Sequence, residues 1–215
     1  MPNKVIGRAL IFWNRYLQQC RQAVADSVNS AQLNSLGQPF DIHHSVEFRN
    51  PHQIKIGASC CIKARTIING TSTVRQHGIS LGSDTYIKEH CYFDAYGGFI
   101  DIEGRCAFAQ GTIIHGGGGV AIGANVITGA NCYIIASNHK FDSREYPIML
   151  QGDRCKGITI GRNVWIGGHV IVLDGVEIGD NCVIGAGSVI TKSVASNTLV
   201  FDERKRRERR MYTDD

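Results

Sequence analysis

Residues 158–190 read Ile-Thr-Ile-Gly-Arg-Asn-Val-Trp-Ile-Gly-Gly-His-Val-Ile-Val-Leu-Asp-Gly-Val-Glu-Ile-Gly-Asp-Asn-Cys-Val-Ile-Gly-Ala-Gly-Ser-Val-Ile. An aliphatic residue recurs at every sixth position, namely Ile160, Ile166, Val172, Ile178, Ile184 and Ile190. Helices repeat near 3.6 residues and strands alternate every two, so this period fits neither alone. It predicts a solenoid in which each hexad is a short strand followed by a tight turn. The Gly that often follows the aliphatic residue is expected to supply the unusual turn backbone.

The same register runs back to Ile54 and groups the hexads in threes. The inward positions of the earlier coils are Ile56, Ile62 and Ile68; Leu81, Ile87 and Phe93; Ile102, Phe108 and Ile114; and Ile122, Thr128 and Ile134. The sequence therefore predicts an all-β, three-sided solenoid of about six 18-residue coils over residues 54–200. Residues 1–53 form an N-terminal helix and capping segment in this division, and residues 201–215 form a basic C-terminal tail.

Interruptions of the repeat all follow the third hexad of a coil. Consecutive coils start 25, 21, 20, 38 and 18 residues apart, so the insertions leave the solenoid at one corner. Loops stacked along one edge of a solenoid usually form its binding face. The longest insertion predicts a projecting loop around residues 135–157, and it contains Ser-Asn-His-Lys-Phe-Asp at 137–142.

The N-terminal segment predicts a helix from residue 4 to about residue 28. Ile6, Leu10, Trp13 and Leu17 share one face of it. The helix either caps the open end of the solenoid or rests on a membrane surface or membrane enzyme. The formal net charge of +4 arises from the block at 204–210, which holds six cations and one anion, so the body is not a basic nucleic-acid binder.

Cysteine usage favours a reduced compartment. The chain has eight cysteines without a CxxC pair, and five of them occupy the small inward slot of the hexads: Cys60, Cys91, Cys106, Cys132 and Cys182. A small apolar residue is wanted there, so we interpret them as packing residues and not as disulfides or metal ligands. No signal peptide is visible, and the predicted compartment is the cytoplasm, with peripheral contact at the inner membrane as the alternative for helix and tail.

Four stretches together resemble the hexapeptide-repeat acyltransferases, within them the galactoside, maltose and polysaccharide O-acetyltransferase group. They are Ser137-Asn-His-Lys-Phe141, Ile160-Gly-Arg-Asn-Val-Trp-Ile-Gly-Gly-His169, Gly175-Val-Glu-Ile-Gly-Asp-Asn181 and Ile184-Gly-Ala-Gly-Ser-Val-Ile-Thr-Lys192. The resemblance implies a left-handed parallel β-helix, acetyl-CoA as acyl donor, and a homotrimer with active sites between subunits. It also implies that His139 is the catalytic base, since a neutral imidazole suits removal of a hydroxyl proton.

The same resemblance indicates further site residues. Trp165 either brings its indole near the reacting group or fills space at a subunit interface. Asn138 and Gln110 are substrate-binding candidates. His115 is a further candidate from the residues themselves, because Gly116–Gly119 follow it on the same corner, although it also fits a plain surface turn. Relatives offer an Asn near the acceptor hydroxyl, and the equivalent stretch here, residues 106–111, contains none, so no oxyanion side chain is assigned.

For coenzyme A the resemblance points to Gly168, Ala186, Thr191 and Lys192, with Arg206 and Arg209 near the expected C-terminal cations. The tail departs from the usual family ending, so it alternatively binds anionic lipid headgroups or stays solvated. A metal site is not predicted, because the His pair five residues apart of the gamma-type carbonic anhydrases is missing around His139.

The functional hypothesis is an acetyl-CoA-dependent O-acetyltransferase that modifies a sugar hydroxyl of a bacterial surface polysaccharide or lipid-linked glycan. One alternative keeps the enzyme class with another acceptor, either a streptogramin-type antibiotic or the amine of a nucleotide sugar. An alternative of a different class is a non-catalytic trimeric scaffold that binds a partner at the loop corner.

Overall fold

The computed structural model describes residues 14, 15, 17–20, 22, 23, 33, 35–38 and 40–201. Most of them wind into a three-sided solenoid, and each turn contributes one strand to each of three parallel sheets. We call these sheets the first, second and third face, in the order in which a turn visits them. The shape, the hexad unit and the all-β composition are those of a left-handed parallel β-helix, so the predicted fold class is confirmed.

Seven turns are complete. Their strands are β1 (Ser35–Leu36), β2 (Phe40–Ile42), β3 (Glu47–Arg49); β4 (Ile54–Ile56), β5 (Cys60–Ile62), β6 (Ile67–Asn69); β7 (Ile79–Leu81), β8 (Tyr86–Ile87), β9 (Tyr92–Asp94); β10 (Ile100–Ile102), β11 (Ala107–Phe108), β12 (Ile113–His115); β13 (Val120–Ile122), β14 (Ile127–Thr128), β15 (Tyr133–Ile135); β18 (Ile158–Ile160), β19 (Trp165–Ile166), β20 (Ile171–Leu173); and β21 (Glu177–Ile178), β22 (Val183–Ile184), β23 (Val189–Ile190). β24 (Leu199–Val200) adds to the second face, and β16 (Asn138–His139) pairs with β17 (Asp153–Arg154) outside the solenoid. Two short 3-10 helices lie at Pro51–Gln53 and Ile148–Leu150.

The core is a stack of the predicted inward residues, each paired directly with its counterpart one turn away. Ile114, Ile134 and Val172 follow one another on the third face and are fully buried. The two buried aromatic residues, Phe93 and Phe108, meet edge to face with ring centroids 5.2 Å apart. Burying apolar surface along the whole axis is what holds a solenoid together, because each turn contacts only its neighbours.

The solenoid begins one turn earlier than the predicted boundary at residue 54. β1–β3 pair with β4–β6, which places Ile42 beside Ile62 and Phe48 beside Ile68. Ile42 and Phe48 keep the six-residue period but are followed by His43 and Arg49 instead of Gly. The turn nonetheless has one hexad Gly, Gly37 after Leu36, just as the next turn has only Gly57 after Ile56.

We expected the Gly that often follows an inward aliphatic residue to supply an unusual turn backbone, and this explanation was wrong. Gly161 and Gly179 do not adopt positive φ, and the left-handed position is taken two residues later by Asn163 and Asn181, both at φ 56°. A Cβ on Gly161 would lie 2.7 Å from the backbone nitrogen of Asp180 in the next turn. Gly is needed because neighbouring turns approach closely, and Asn tolerates the left-handed backbone.

Described residues of the N-terminal segment contact the first turn. Residues 14, 15, 17–20, 22 and 23 are helical. The Gln22 side chain accepts a 2.9 Å hydrogen bond from the His44 backbone N–H and donates to the Ile42 carbonyl. These contacts favour the interpretation as a cap. The rest of the predicted helix and the tail at 202–215 lie outside the described residues, and within the described part no helix is long and apolar enough to cross a membrane.

The inward cysteines occupy the predicted small slot. Cys60, Cys91, Cys106, Cys132 and Cys182 are buried, and all eight cysteines are free thiols. Cys132 Sγ donates to the Gly167 carbonyl at 3.0 Å, which joins two successive turns. Burial raises the pKa of the Cys91 thiol to about 11, so this group stays protonated.

The outer surfaces of the three faces differ in polarity. On the first face the outward column is mostly polar and includes Lys55, Asp101 and Glu177. Exposed apolar side chains mark the other two faces: Ile127, Trp165 and Leu199 on the second, and Tyr133, Leu173 and Val189 on the third. Large exposed apolar patches on a soluble protein usually mark interaction sites.

Candidate active site at the loop corner

The insertions leave the solenoid where the third face turns into the first, as the sequence predicted. We call this edge the loop corner; it consists of residues 50–53, 70–78, 95–99, 116–119 and 136–157. The chain returns from the longest insertion in register, because β18 pairs with β13 as though the repeat were unbroken. The loop corner thus carries irregular segments on a regular support.

The longest insertion is a hairpin and not a structureless loop. β16 and β17 pair antiparallel, with Asn138 opposite Arg154 and His139 opposite Asp153. Arg154 donates to Asp142 across the hairpin at 2.9 Å. At its base, the Asp174 carboxylate accepts hydrogen bonds of 2.8–2.9 Å from the backbone N–H groups of residues 156 and 157, which fixes the returning strand to the solenoid.

The hairpin brings His139 and Asp153 together. His139 Nδ1 lies 2.7 Å from Asp153 Oδ1. The His139 side chain is 69% exposed and that of Asp153 is 29% exposed, so the carboxylate is the better shielded partner. In the neutral imidazole this contact places the proton on Nδ1 and makes Nε2 the acceptor nitrogen. This is the arrangement a general base requires.

His115 lies on the neighbouring turn of the same corner. Its Nδ1 is 3.2 Å from Ser137 Oγ, and its ring centroid is 4.0 Å from that of Tyr96. Burial lowers the pKa of His115 below its ordinary value of 6.5, while the carboxylates of Asp94 and Asp153 raise it. The imidazole is therefore neutral at neutral pH and can exchange hydrogen bonds with a polar ligand.

The buried carboxylate of Asp94 lies one turn away from His115, on the side opposite the hairpin. Asp94 is only 7% exposed. It accepts hydrogen bonds from Tyr92 OH at 2.7 Å, from Asn69 Nδ2 at 3.1 Å and from the Tyr96 backbone N–H at 2.8 Å. These bonds satisfy the buried charge and fix the backbone of the 95–99 loop.

The predicted site residues divide among three places. His139, Asn138 and His115 lie at the loop corner, and Thr191 and Lys192 follow β23 onto the same corner. Other predicted contacts lie at the corner between the second and third faces, which we call the second corner: Gln110, Gly168 and Ala186. Trp165 is 54% exposed on the second face. One chain does not bring Trp165 or Gln110 to His139, and Arg206 and Arg209 lie outside the described residues.

Sequence reasoning missed Asp153, Asp94 and Tyr96. Asp153 lies 14 positions after His139, and only the hairpin register places it opposite. The signal for Tyr96 was present, since Tyr96 lies in an insertion at the corner already singled out and Asp94 directly precedes that insertion.

Comparison with known proteins agrees with this architecture. Residues 157–192 match the family described as bacterial transferase hexapeptide (six repeats). The galactoside O-acetyltransferase of Escherichia coli (strain K12) is 35% identical over 130 residues, which is 60% of this chain and 62% of that protein. The chain thus matches somewhat less than two thirds of the length of this relative.

Solved structures share the fold at low identity. AntD, an N-acyltransferase from Bacillus cereus crystallised with dTDP and 3-hydroxybutyryl-CoA, superposes with a TM-score of 0.58 at 18% identity, covering 81% of each chain. A mutant of AntD in complex with dTDP-4-amino-4,6-dideoxyglucose and coenzyme A gives a TM-score of 0.57, covering 86% of this chain and 89% of that one.

Proposed function

We propose that this chain, which carries the hexapeptide repeats of the bacterial transferases and resembles the hexapeptide-repeat acetyltransferases, transfers an acetyl group from acetyl-CoA to a sugar hydroxyl with His139 as the general base. The observation that carries the proposal is the 2.7 Å contact between His139 Nδ1 and Asp153 Oδ1 on an exposed hairpin. It leaves one basic nitrogen directed away from its carboxylate partner.

The reaction follows from this arrangement. Nε2 of His139 removes the proton of the acceptor hydroxyl while the oxygen attacks the thioester carbonyl. The Asp153 carboxylate stabilises the imidazolium that forms. The carbon–sulfur bond then breaks, and coenzyme A leaves as a thiol after taking the proton back from His139. No acetyl-enzyme is needed in this sequence, because acceptor and donor react directly.

The acceptor and donor occupy different surfaces in this proposal. The E. coli relative is named for galactosides, which supports a sugar acceptor. We assign His115 and Asn138 to acceptor binding: His115 reaches Ser137, two residues before His139, and Asn138 precedes His139 on β16. For the donor, structural neighbours crystallised with coenzyme A or an acyl-CoA support an acyl-CoA, and we assign Thr191 and Lys192, which follow β23 onto the loop corner, to its binding.

A homotrimer completes the site. The apolar second and third faces need cover, whereas the polar first face does not. Trp165, Gly168 and Ala186 lie away from the hairpin of their own chain, so they reach His139 only from a neighbouring copy. Closed symmetric packing of three copies would supply that arrangement at each of three equivalent sites.

The test measures thiol release from acetyl-CoA with a panel of sugar acceptors. His139→Ala should lower kcat about 10²–10⁴-fold, as removal of a general base does. His90→Asn is a matched control, because His90 is an exposed histidine with φ 60° in another turn and Asn accepts that backbone. If His139→Ala keeps more than about a tenth of the wild-type kcat, the base assignment fails.

The same assay separates the acceptor classes. An amino sugar nucleotide and a streptogramin compete with the sugar in one reaction, and the preferred acceptor shows the highest kcat/KM. The polysaccharide assignment requires loss of O-acetyl groups from cell-surface glycan when the gene is deleted. Absence of saturable acetyl-CoA binding in calorimetry would instead favour a non-catalytic scaffold.

A further inference from the structure

Tyr96 has a backbone conformation that tyrosine rarely adopts. Its φ is 46°, and it is the only Tyr, Phe or Trp among the described non-glycine residues with positive φ; seven of the thirteen are Asn or Asp. Its side chain is nonetheless bulky, and the residue is 49% exposed. A bulky residue in the left-handed region is strained and persists where the surrounding structure imposes it.

Hydrogen bonds on both sides of Tyr96 hold its backbone in the left-handed conformation. The buried Asp94 carboxylate accepts the Tyr96 backbone N–H at 2.8 Å, and Gly98 N–H donates to the Ala95 carbonyl at 2.8 Å. Gly97 follows with φ 82°. The turn is therefore fixed on both sides of Tyr96, and its ring is held at a set position over the corner.

The Tyr96 ring is connected to the catalytic hairpin through His115 and Ser137. It contacts His115 at 4.0 Å between centroids, and His115 reaches Ser137, two residues before His139. Gly117 separates Tyr96 from Ser137: a Cβ there would lie 3.3 Å from an atom of each. Tyr96, Gly117 and Ser137 thus form a shallow floor that leads from the tyrosine ring to the hairpin.

Polar groups continue this floor along the solenoid axis. Asn69, Asp94 and His115 follow one another on the third face in direct register, and Thr71 OH donates to Asn69 Oδ1 at 2.7 Å. Adjacent turns are spaced by roughly 4.8 Å, so β9 and β15 lie about 10 Å apart. The floor is longer than one sugar ring.

We propose that Tyr96 is a stacking platform for a second sugar unit, so that the acceptor is an extended glycan lying along the loop corner with its reacting hydroxyl at His139. This rests on the proposed function and narrows its substrate class. A pyranose ring presents an apolar C–H face to an aromatic ring and hydroxyls at its rim. Tyr96 supplies the aromatic face, and His115 and Asn69 supply the adjacent hydrogen-bonding groups.

The experiment measures kcat/KM for acetylation of galactosyl, glucosyl and N-acetylglucosaminyl acceptors of one to four units. Three variants are compared with wild type. Tyr96→Asn removes the ring and keeps a residue suited to positive φ, Tyr96→Phe keeps the ring, and Tyr146→Ala removes an exposed tyrosine elsewhere on the hairpin.

The expected result is a length effect that depends on the ring. Wild type, Tyr96→Phe and Tyr146→Ala should prefer a trisaccharide over its monosaccharide by about tenfold or more, the size of a good aromatic contact. Tyr96→Asn should lose this preference, with a fall in kcat/KM that is about tenfold larger on the trisaccharide than on the monosaccharide. Its remaining turnover of the monosaccharide shows that it is folded.

Two results would overturn the proposal. One is equal use of all lengths by the wild type; the other is an equal loss on mono- and trisaccharide in Tyr96→Asn. Either leaves the acetyltransferase function intact if turnover still requires His139. If no sugar of any length is acetylated, the proposed sugar acceptor fails together with the platform.

Discussion

Replacement of Asp153 by Asn tests whether the hairpin register creates the catalytic base. Asn keeps the shape of the side chain but removes the charge that holds the Nδ1 proton of His139 at 2.7 Å. A hydrogen bond to a charged group contributes about 1.5–3 kcal/mol. Because the His139 side chain is 69% exposed and solvent screens the pair, the lower part of this range applies. About 1.4–2 kcal/mol corresponds to a 10–30-fold fall in kcat.

The assay is steady-state thiol release at saturating acetyl-CoA with the best sugar of the panel. The loss should fall on kcat and leave KM for acetyl-CoA unchanged, because Asp153 acts on the base and not on the donor. Asp142→Asn is the matched control. Asp142 pairs with Arg154 on the same hairpin and is 67% exposed, so its removal should change kcat less than about twofold.

The reasoning would be refuted by an Asp153→Asn enzyme with kcat within twofold of wild type while His139→Ala is inactive. His139 would then act without an orienting carboxylate. Equal losses in Asp153→Asn and Asp142→Asn would also refute it, since both would then report damage to the hairpin as a whole.

Three further predictions concern the support of the site. Gly161→Ala should lower the free energy of unfolding by about 1–3 kcal/mol, because the new Cβ would lie 2.7 Å from the backbone nitrogen of Asp180 in the next turn. Gly168→Ala is the control and should change it by less than about 0.5 kcal/mol, because its Cβ would lie 3.4 Å from its nearest atom. Equal melting temperatures for the two variants would contradict this. Asp174→Ala should lower kcat about tenfold by releasing the hairpin base, with faster hydrogen exchange at residues 138–154; a fall in kcat without faster exchange would point elsewhere. Mixed refolding of inactive His139→Ala with inactive Trp165→Ala should restore about a quarter of wild-type activity if sites combine two copies, and no recovery would show that His139 and Trp165 do not come together from different copies.

The sequence predicted the solenoid well because its core is one-dimensional. A period of six with inward aliphatics specifies strand, turn and register together, and pairings such as Ile114 with Ile134 follow from counting alone. The first turn was missed although Leu36, Ile42 and Phe48 already keep the six-residue period, because residues up to 53 were assigned to the N-terminal capping segment. Close approach of backbones is a property of two turns, so Gly cannot be assigned a role from one hexad.

The site was predictable only in part for a related reason. His139 lies in an insertion, and this position together with the family resemblance of residues 137–141 marked it. Its partner Asp153 depends on pairing across a hairpin with 13 residues between the two, which no local pattern shows. Trp165 and Gln110 were assigned by resemblance to relatives, and within one chain they lie on the second face and at the second corner, away from the loop corner that carries His139.

The return of β18 into register beside β13 has a consequence for how such a protein can change. The chain leaves and re-enters the solenoid at adjacent points, so the length of the hairpin does not alter the phase of any later hexad. Loop closure also depends only weakly on loop length. The hairpin can therefore be replaced as a unit. A segment of different length and chemistry could be inserted between Ala136 and Gly157 while the turns on both sides keep their core.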